Sequence, residues 1–112
     1  MAAGTYDIVI DQGSDFALEI QMQENDAYVN LATHTARAQL RPTPTSNTLT
    51  ASFTCTIPDA ANGKIKMILS YADTANIAAG KYYYDLEVEN TFSNTVSRLL
   101  QGVARVTPEV TR

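Results

Sequence analysis

The stretch that decides the fold is VSRLLQGVARVTPEVTR, residues Val96–Arg112. Its apolar and β-branched residues continue almost to the last position and are interrupted at Gln101-Gly102. A polar tail does not have this composition, so the stretch predicts a closing β-strand. Gly102 is expected to form a β-bulge that bends the strand. Pro108 has no backbone N–H, which predicts that the strand leaves the ladder there or follows an edge.

Earlier segments of the chain show strict alternation of apolar and polar residues. In Ser14–Gln23, for example, Phe16, Leu18 and Ile20 are separated by Ala17 and Glu19. Alternation of this kind is typical of strands with one buried and one wet face, as in antiparallel sheets. The alternating segments are Thr5–Ile10, Ser14–Gln23, Thr35–Arg41, Leu49–Ile57, Lys64–Leu69 and Lys81–Glu89. With the closing strand, about seven short strands separated by turn residues predict an all-β sandwich.

One segment departs from the alternation. Ser70 and Asp73 have the spacing of a helix capping box, and Gly80 follows beyond the predicted helix end. The sequence therefore predicts a short helical turn near residues 71–77. This turn is expected to connect the two sheets, with Ile77 and Tyr71 pinning it to the sandwich edge.

Composition limits the classes of function. The 112 residues are 45% hydrophobic and 18% charged, which is typical of a single globular domain spanning residues 1–112. The net charge of −4 and the scattered basic residues argue against nucleic-acid binding. No apolar stretch approaches the roughly 20 residues of a membrane helix. No secretory signal precedes the first strand, so we expect synthesis in a cytoplasm and no membrane partner.

Two residues that often carry chemistry have simpler interpretations here. Cys55 is the single cysteine and alternates with Phe53 and Ile57, which predicts an inert core thiol rather than a nucleophile. His34 is the single histidine and has no cysteine or second histidine nearby. An exposed loop histidine is therefore favoured over a metal ligand or a general base.

The acidic residues likewise favour structural roles. Asp11 and Asp15 flank Gly13, but two carboxylates fall well short of the 6–8 oxygen ligands of calcium, so a tight turn is expected. Asp85, Glu87 and Glu89 form an acidic stripe on one strand face. Two interpretations stay open for this stripe: cross-strand ion pairs with Arg37 and Arg41, or an electrostatic docking surface for a partner. No catalytic motif, cofactor or metal site is predicted.

A protein interface is the kind of site that the sequence favours. Tyr83 is predicted to point outward between the inward-facing Tyr82 and Tyr84, as an interface anchor. Both chain ends, Met1–Tyr6 and Thr107–Arg112, are expected to act as short arms that contact neighbours by strand addition. The candidate interface residues are Tyr6, Tyr83, Thr107, Pro108, Glu109, Val110, Thr111 and Arg112.

Several stretches in chain order resemble one family. They are Tyr6-Asp7-Ile8, Asp11-Gln12-Gly13-Ser14-Asp15-Phe16, Thr35–Arg41, Gly63-Lys64-Ile65, Leu69–Ala75, Gly80, Tyr84-Asp85-Leu86-Glu87, Arg98–Gly102 and Val106–Thr111. Together they look like the small immunoglobulin-like β-sandwich domains of tailed-bacteriophage virion proteins, including the N-terminal domain of upper baseplate proteins. The resemblance covers nearly the whole chain and rests on the order and spacing of the stretches.

The resemblance implies a fold and a role. It implies an immunoglobulin-like antiparallel β-sandwich in which the strand of Tyr84–Glu87 neighbours that of Arg98–Gly102. It also implies a non-enzymatic structural protein of the virion that binds other virion proteins as a homo-oligomer or hetero-complex. Because the sequence ends with the sandwich at Arg112, an adaptor in the tail, baseplate, neck or fibre-attachment region is expected. Two alternatives stay open: a capsid decoration protein, and a carbohydrate-binding sandwich using Tyr28, Tyr83 and Phe92.

Overall fold

A computed structural model describes residues 3–111 of the chain. The strands are β1 (Gly4–Thr5), β2 (Ile8–Asp11), β3 (Phe16–Gln21), β4 (Gln23–Glu24), β5 (Ala27–Tyr28), β6 (His34–Arg41), β7 (Ala51–Asp59), β8 (Lys64–Leu69), β9 (Gly80–Asn90) and β10 (Thr95–Thr107). A 3-10 turn spans Ala60–Asn62, and one short α-helix, α1, spans Tyr71–Ala75. The predicted strands are therefore present, with Thr5–Ile10 divided between β1 and β2.

The strands form two layers joined through β7. Their order is β1-β10-β9-β6-β7-β8-β3, with β2 also on β10, and β4 and β5 form a separate small hairpin. The first part of β7 pairs with β6 and the remainder pairs with β8. Because β7 changes partner along its length, the sheet folds over on itself. The result is the all-β sandwich that the alternation and the resemblance predicted.

The first strands depart from the expected antiparallel arrangement. β1 and β2 both pair in parallel with β10, for example Gly4 with Leu100 and Ile8 with Ala104. The other strand pairings are antiparallel. The expectation of an entirely antiparallel sandwich is therefore wrong at the N-terminal edge, where the first and last strands run side by side in the same direction.

The β-bulge in β10 is not at Gly102. The register with β9 shifts between Arg98 and Leu100, so Leu99 is the extra residue, and Gly102 pairs regularly with Tyr84. The absence of a side chain at Gly102 has another reason, since a Cβ placed there would overlap the backbone carbonyl of Tyr6. This glycine permits close approach of the chain between β1 and β2.

The core lies between the two layers and follows the predicted alternation. On β9, Tyr84, Leu86 and Val88 are buried, whereas the residues between them are half-exposed. Cys55 lies half-buried beside the core, as predicted for an inert thiol, and burial raises its pKa. The buried apolar residues are Ile8, Ile10, Leu31, Ala38, Leu40, Phe53, Ile65, Met67, Leu69, Ile77, Tyr84, Leu86, Val88, Ala104 and Val106.

The helix α1 connects β8 to β9, as expected. Ser70 caps it by accepting a hydrogen bond from the backbone N–H of Asp73 at 3.2 Å. Ile77 is buried and pins the connection to the sandwich, whereas Tyr71 is 64% exposed and does not. Within residues 3–111, no helix has the length and apolar character needed to cross a membrane.

Candidate functional site

Outward-facing side chains of β6, β9 and β10 form rows across one face of the sandwich. Directly opposed residues on neighbouring strands point to the same side, so the strand register fixes the rows. They are Arg41–Tyr83–Val103, Gln39–Asp85–Gln101 and Arg37–Glu87–Arg98. A cavity of about 500 Å³ lies over most of these residues and is completed by Thr5, Asp7, Pro44 and Gly102. We call this surface the outer groove.

Tyr83 is the aromatic side chain of this face. It points away from the core, as predicted, and is half-buried between the neighbouring strands. The ammonium group of Lys81 lies 5.4 Å from the centre of its ring. A cation–π contact at an exposed site contributes about 0.5–1 kcal/mol, so Lys81 helps to orient the ring. Tyr83 therefore offers a positioned aromatic surface within the groove.

Asp85 occupies the middle of the groove. Nε of Arg98 lies 3.3 Å from a carboxylate oxygen of Asp85. Partial burial raises the pKa of Asp85, the nearby Glu87 raises it further, and the Arg98 charge opposes both effects. A partly desolvated carboxylate held by one cation can accept further hydrogen bonds from a docked partner.

The acidic stripe also forms the cross-strand ion pairs that were one of its two interpretations. Nε of Arg37 lies 2.9 Å from Glu87, and a second guanidinium nitrogen lies 3.8 Å from Glu89. The hydrogen bond from Arg37 to Glu87, followed by the charge attraction, raises the pKa of Arg37. The side chain of Arg37 is 59% exposed, so the pair contributes little to stability in water.

Arg41 was expected to pair with the same acids and does not. Its guanidinium donates to the side chain of Gln39 at 2.9 Å and to the backbone carbonyl of Ser46 at 3.3 Å. Across residues 3–111, the ion pairs involve Arg37 and Arg98, and none includes Arg41. The groove thus carries a positive charge next to Tyr83 that is oriented by neutral partners.

Tyr6 lies beside the groove, between the two residues that line one of its walls. Its neighbours Thr5 and Asp7 both line the groove, and the carboxylate of Asp7 accepts a hydrogen bond from the backbone N–H of Val103 at 2.9 Å. Tyr6 is 51% exposed. Of the two predicted interface residues Tyr6 and Tyr83, Tyr83 lines the groove, and Tyr6 lies in the chain between two lining residues without lining the groove itself.

The C-terminal segment lies at a different place and is bonded to the sandwich. The hydroxyl of Thr107 donates to Asp11 at 2.8 Å, and the backbone N–H of Glu109 donates to the side chain of Gln12 at 3.0 Å. The carbonyl of Thr107 accepts from the backbone N–H of Gln12 at 3.1 Å. Thr107–Glu109 is therefore no detached arm. Pro108, Val110 and Thr111 are exposed, and predicted interface residue Arg112 lies outside the described residues.

The turn beneath this segment confirms the structural interpretation of the Asp11–Ser14 sequence. Gly13 adopts φ +84°, which favours glycine, and its N–H donates to the hydroxyl of Thr74 at 3.0 Å. That hydroxyl is buried and donates to the carbonyl of Ser14 at 2.8 Å. Asp15 accepts a hydrogen bond from the N–H of Tyr71 at 2.7 Å. These polar atoms thus hold the chain together at this end of the sandwich.

His34 is not in an exposed loop, contrary to the expectation. It is the first residue of β6, where it pairs with Asn90, and its side chain is half-buried. Its Nδ1 is buried and has no hydrogen-bond partner among the described residues. Within residues 3–111, His, Cys, Asp and Glu side chains form no group of three or more suited to a metal.

Asp7 and Arg98 are groove residues that sequence reasoning did not single out. Arg98 precedes the bulge at Leu99, and its outward position follows from its pairing with Glu87. Alternation along Val96–Val106 could have placed it only if the bulge position had been known. Asp7 reaches the groove because β1 and β2 pair with β10, a tertiary arrangement with no local sequence signal.

Comparison with known proteins supports the fold class. No protein-family profile and no curated protein matches the chain. Among solved structures, the chain is similar to that of Listeria monocytogenes InlP, with a TM-score of 0.52 and 15% sequence identity. The similarity covers 94% of this chain and 28% of the InlP chain, so the chain spans less than a third of that protein. At this identity the similarity shows the fold alone.

Proposed function

We propose that this protein is a non-enzymatic structural protein of a tailed-phage virion. In this role it is an adaptor in the tail, baseplate, neck or fibre-attachment region, and the outer groove is its docking surface for another virion protein. The observation that carries the proposal is the position of the groove. It lies on two of the strands that take part in the family resemblance, Tyr84–Glu87 and Arg98–Gly102, and these strands are neighbours, as the resemblance implies.

The chemistry of the outer groove suits a protein partner. Aromatic and arginine side chains are enriched where protein interfaces are tightest, and the groove offers Tyr83 beside Arg41. The charges of Asp85 and Arg98 lie next to this pair and would orient a partner of complementary charge. Rigid strands carry all of these side chains, so docking needs little ordering of the surface.

The alternative of a capsid decoration protein involves the same fold and the same surface. The carbohydrate-binding alternative requires a shared aromatic platform, and the arrangement of the aromatic residues does not favour it. Phe92 is 87% exposed in the turn after β9, whereas Tyr83 lies seven residues before Asn90, the end of β9. At about 3.3 Å per residue, that separation is roughly 23 Å.

Immunogold labelling of purified particles tests the proposal. An antibody against the sandwich is expected to label the tail, the baseplate or the neck. Label spread over the head would favour a decoration protein. Particles without label, from cells that produce the protein, would contradict a virion role.

A further inference from the structure

The outer edge of β3 is an unpaired strand edge. Because β1 and β2 pair with β10, β3 is hydrogen-bonded on one side to β8 and is the last strand of its layer. Among residues 3–111, no backbone hydrogen bond outside this pairing involves Phe16–Gln21. The chain that returns after β3 turns toward the 3-10 turn, since Val29 bonds to Met22 and Leu31 to Ala60.

The core is incompletely covered along this edge. Phe16, Leu18 and Ile20 point toward the core but are only half-buried. Their partners on β8 are almost fully buried, with exposed fractions of 1% for Leu69 and 0% for Met67 and Ile65. The difference arises because β8 has a strand on each side and β3 has a strand on one side.

This edge also lacks the features that prevent strand addition. Natural edges are protected by proline, bulges, lysine or inward-pointing charges. At the opposite end of the strand order, the edge strands β1 and β2 are only two and four residues long, and short edge strands are themselves a protection. The start of β10 is also open and has a bulge next to Arg98 and exposed side chains. In β3 the one charged side chain is that of Glu19, which points outward, and the sequence FALEIQ contains no proline.

We propose that two copies of this chain pair through antiparallel β3 edges about a twofold axis at Leu18. In an antiparallel pair, opposed residues point to the same side, so inward residues must face inward residues. Two registers near the middle of the strand meet this requirement, one with the twofold axis at Leu18 and one with the axis at Glu19. Centring the axis on Leu18 opposes Phe16 to Ile20 of the second copy and Ala17 to Glu19. Centring it on Glu19 would oppose two like charges, which is destabilising.

The Leu18 register therefore places apolar inward residues opposite one another and places no two charges directly opposite. It joins the β3 layers of two copies into one continuous sheet and covers the half-buried apolar side chains from their open side. It leaves the outer groove free on the opposite layer of each copy. The inference is independent of the proposed virion role, because it concerns the purified chain alone.

The test is sedimentation velocity of the purified full chain over a range of concentrations. The wild-type chain is expected to form a dimer. Ala17→Glu places like charges opposite Glu19 of the second copy at two symmetric positions, and should raise the dissociation constant by about two- to thirtyfold. Thr54→Glu is the matched control, since Thr54 is exposed on β7 in the same layer and is separated from the edge by β8. The Ala17→Glu/Glu19→Lys variant creates opposite charges across the axis and should restore the dimer.

Several results would overturn the proposal. A chain that stays monomeric up to about 1 mM, where association would be worth only about 4 kcal/mol, would contradict it. So would a dimer that is insensitive to Ala17→Glu or that is weakened equally by Thr54→Glu. If Ala17→Glu does not fold, amide hydrogen exchange of the wild-type chain shows whether the β3 edges of two copies pair. The β3 amides must slow as concentration rises, whereas protection gained only in assembled particles would assign the edge to another protein and contradict the dimer.

Discussion

The phenolic hydroxyl of Tyr84 donates a 2.5 Å hydrogen bond to the backbone carbonyl of Tyr6. This bond joins the segment between β1 and β2 to the middle of β9, across 78 positions of the chain. Tyr84 is 4% exposed, and the same carbonyl lies against Gly102 on β10. One buried side chain therefore fixes the N-terminal strands beside the outer groove.

Tyr84→Phe should lower the free energy of unfolding by about 0.5–1.5 kcal/mol, the usual value of one hydrogen bond. Urea unfolding at neutral pH measures the effect. Tyr28→Phe is the control, since Tyr28 is 51% exposed in the β4–β5 hairpin, and it should change the unfolding free energy by less than about 0.5 kcal/mol. Equal effects of the two variants would contradict a specific role for the Tyr84 hydroxyl.

The same variant should show a distinctive pH dependence. Burial is the main cause that raises the pKa of Tyr84 to about 12, from 10.0. The unfolded chain therefore releases this proton first, and the stability that Tyr84 contributes is complete below pH 10 and declines as the pH rises toward about 12. The stability difference between wild type and Tyr84→Phe should narrow across this window. A constant difference would contradict the raised pKa.

Gly102→Ala should destabilise the protein by about 1–3 kcal/mol, because the new methyl group would overlap the carbonyl of Tyr6. Gly4→Ala is the matched control on the partner strand. A Cβ at Gly4 would meet its nearest neighbours at an ordinary 3.7 Å, so little change is expected. Thermal unfolding of both variants checks this, and two equally stable variants would refute the close approach at Gly102.

Thr74→Val should cost about 1–3 kcal/mol of stability. The substitution keeps the shape of the side chain but removes the buried Thr74 hydroxyl, so the half-buried N–H of Gly13 and the carbonyl of Ser14 lose their partner. Thr56→Val serves as the control, since Thr56 is exposed on β7. Chemical denaturation of the two variants gives the comparison, and a Thr74→Val chain as stable as the control would show that the hydroxyl is dispensable.

Much of the fold could be predicted from the sequence because alternation is a local signal. The inward positions of Tyr84 and Leu86 and the helical turn after Ser70 follow from residues within one element. The parallel pairing of β1 and β2, the bulge at Leu99 and the place of His34 could not be predicted in this way. Each depends on which strands become neighbours, and a single sequence gives no local signal of that choice.

The candidate site could likewise be predicted only where its residues follow the local alternation. The alternation of inward and outward residues predicted that Tyr83 points outward. It also predicted that Arg37 lies on the outer face, where it contacts Glu87. The groove also needs Asp7 from the N-terminal edge and Arg98, which precedes the bulge in β10. The hydrogen bonds that hold Thr107 and Glu109 were missed because Asp11 and Gln12 are distant in the chain.

Cys55 should react slowly with thiol reagents in the folded protein. Burial raises the pKa of its thiol, so less of the reactive thiolate is present near neutral pH, and the side chain is only partly accessible. Reaction with a chromogenic disulfide should become much faster in denaturing urea. Equal rates in the folded and unfolded chain would show that the thiol is freely accessible.

The proposed virion role predicts that Tyr83→Ala reduces incorporation of the protein into phage particles while leaving the sandwich folded. Tyr83 is half-buried in the outer groove, where removal of an aromatic anchor typically weakens an interface by more than about 1 kcal/mol. Tyr28→Ala removes the same kind of side chain from the β4–β5 hairpin and should be incorporated normally. Thermal melting verifies folding of both variants. Normal incorporation of Tyr83→Ala would exclude the groove as the docking surface.

The copy number of the protein per particle tests the adaptor role most directly. Quantitative mass spectrometry of purified virions provides it, with the major capsid and tail proteins as internal standards. The adaptor role predicts a low multiple of the tail's rotational symmetry. A count comparable to that of the major capsid protein would contradict it in favour of a decoration protein, and absence from the particle would contradict a virion role altogether.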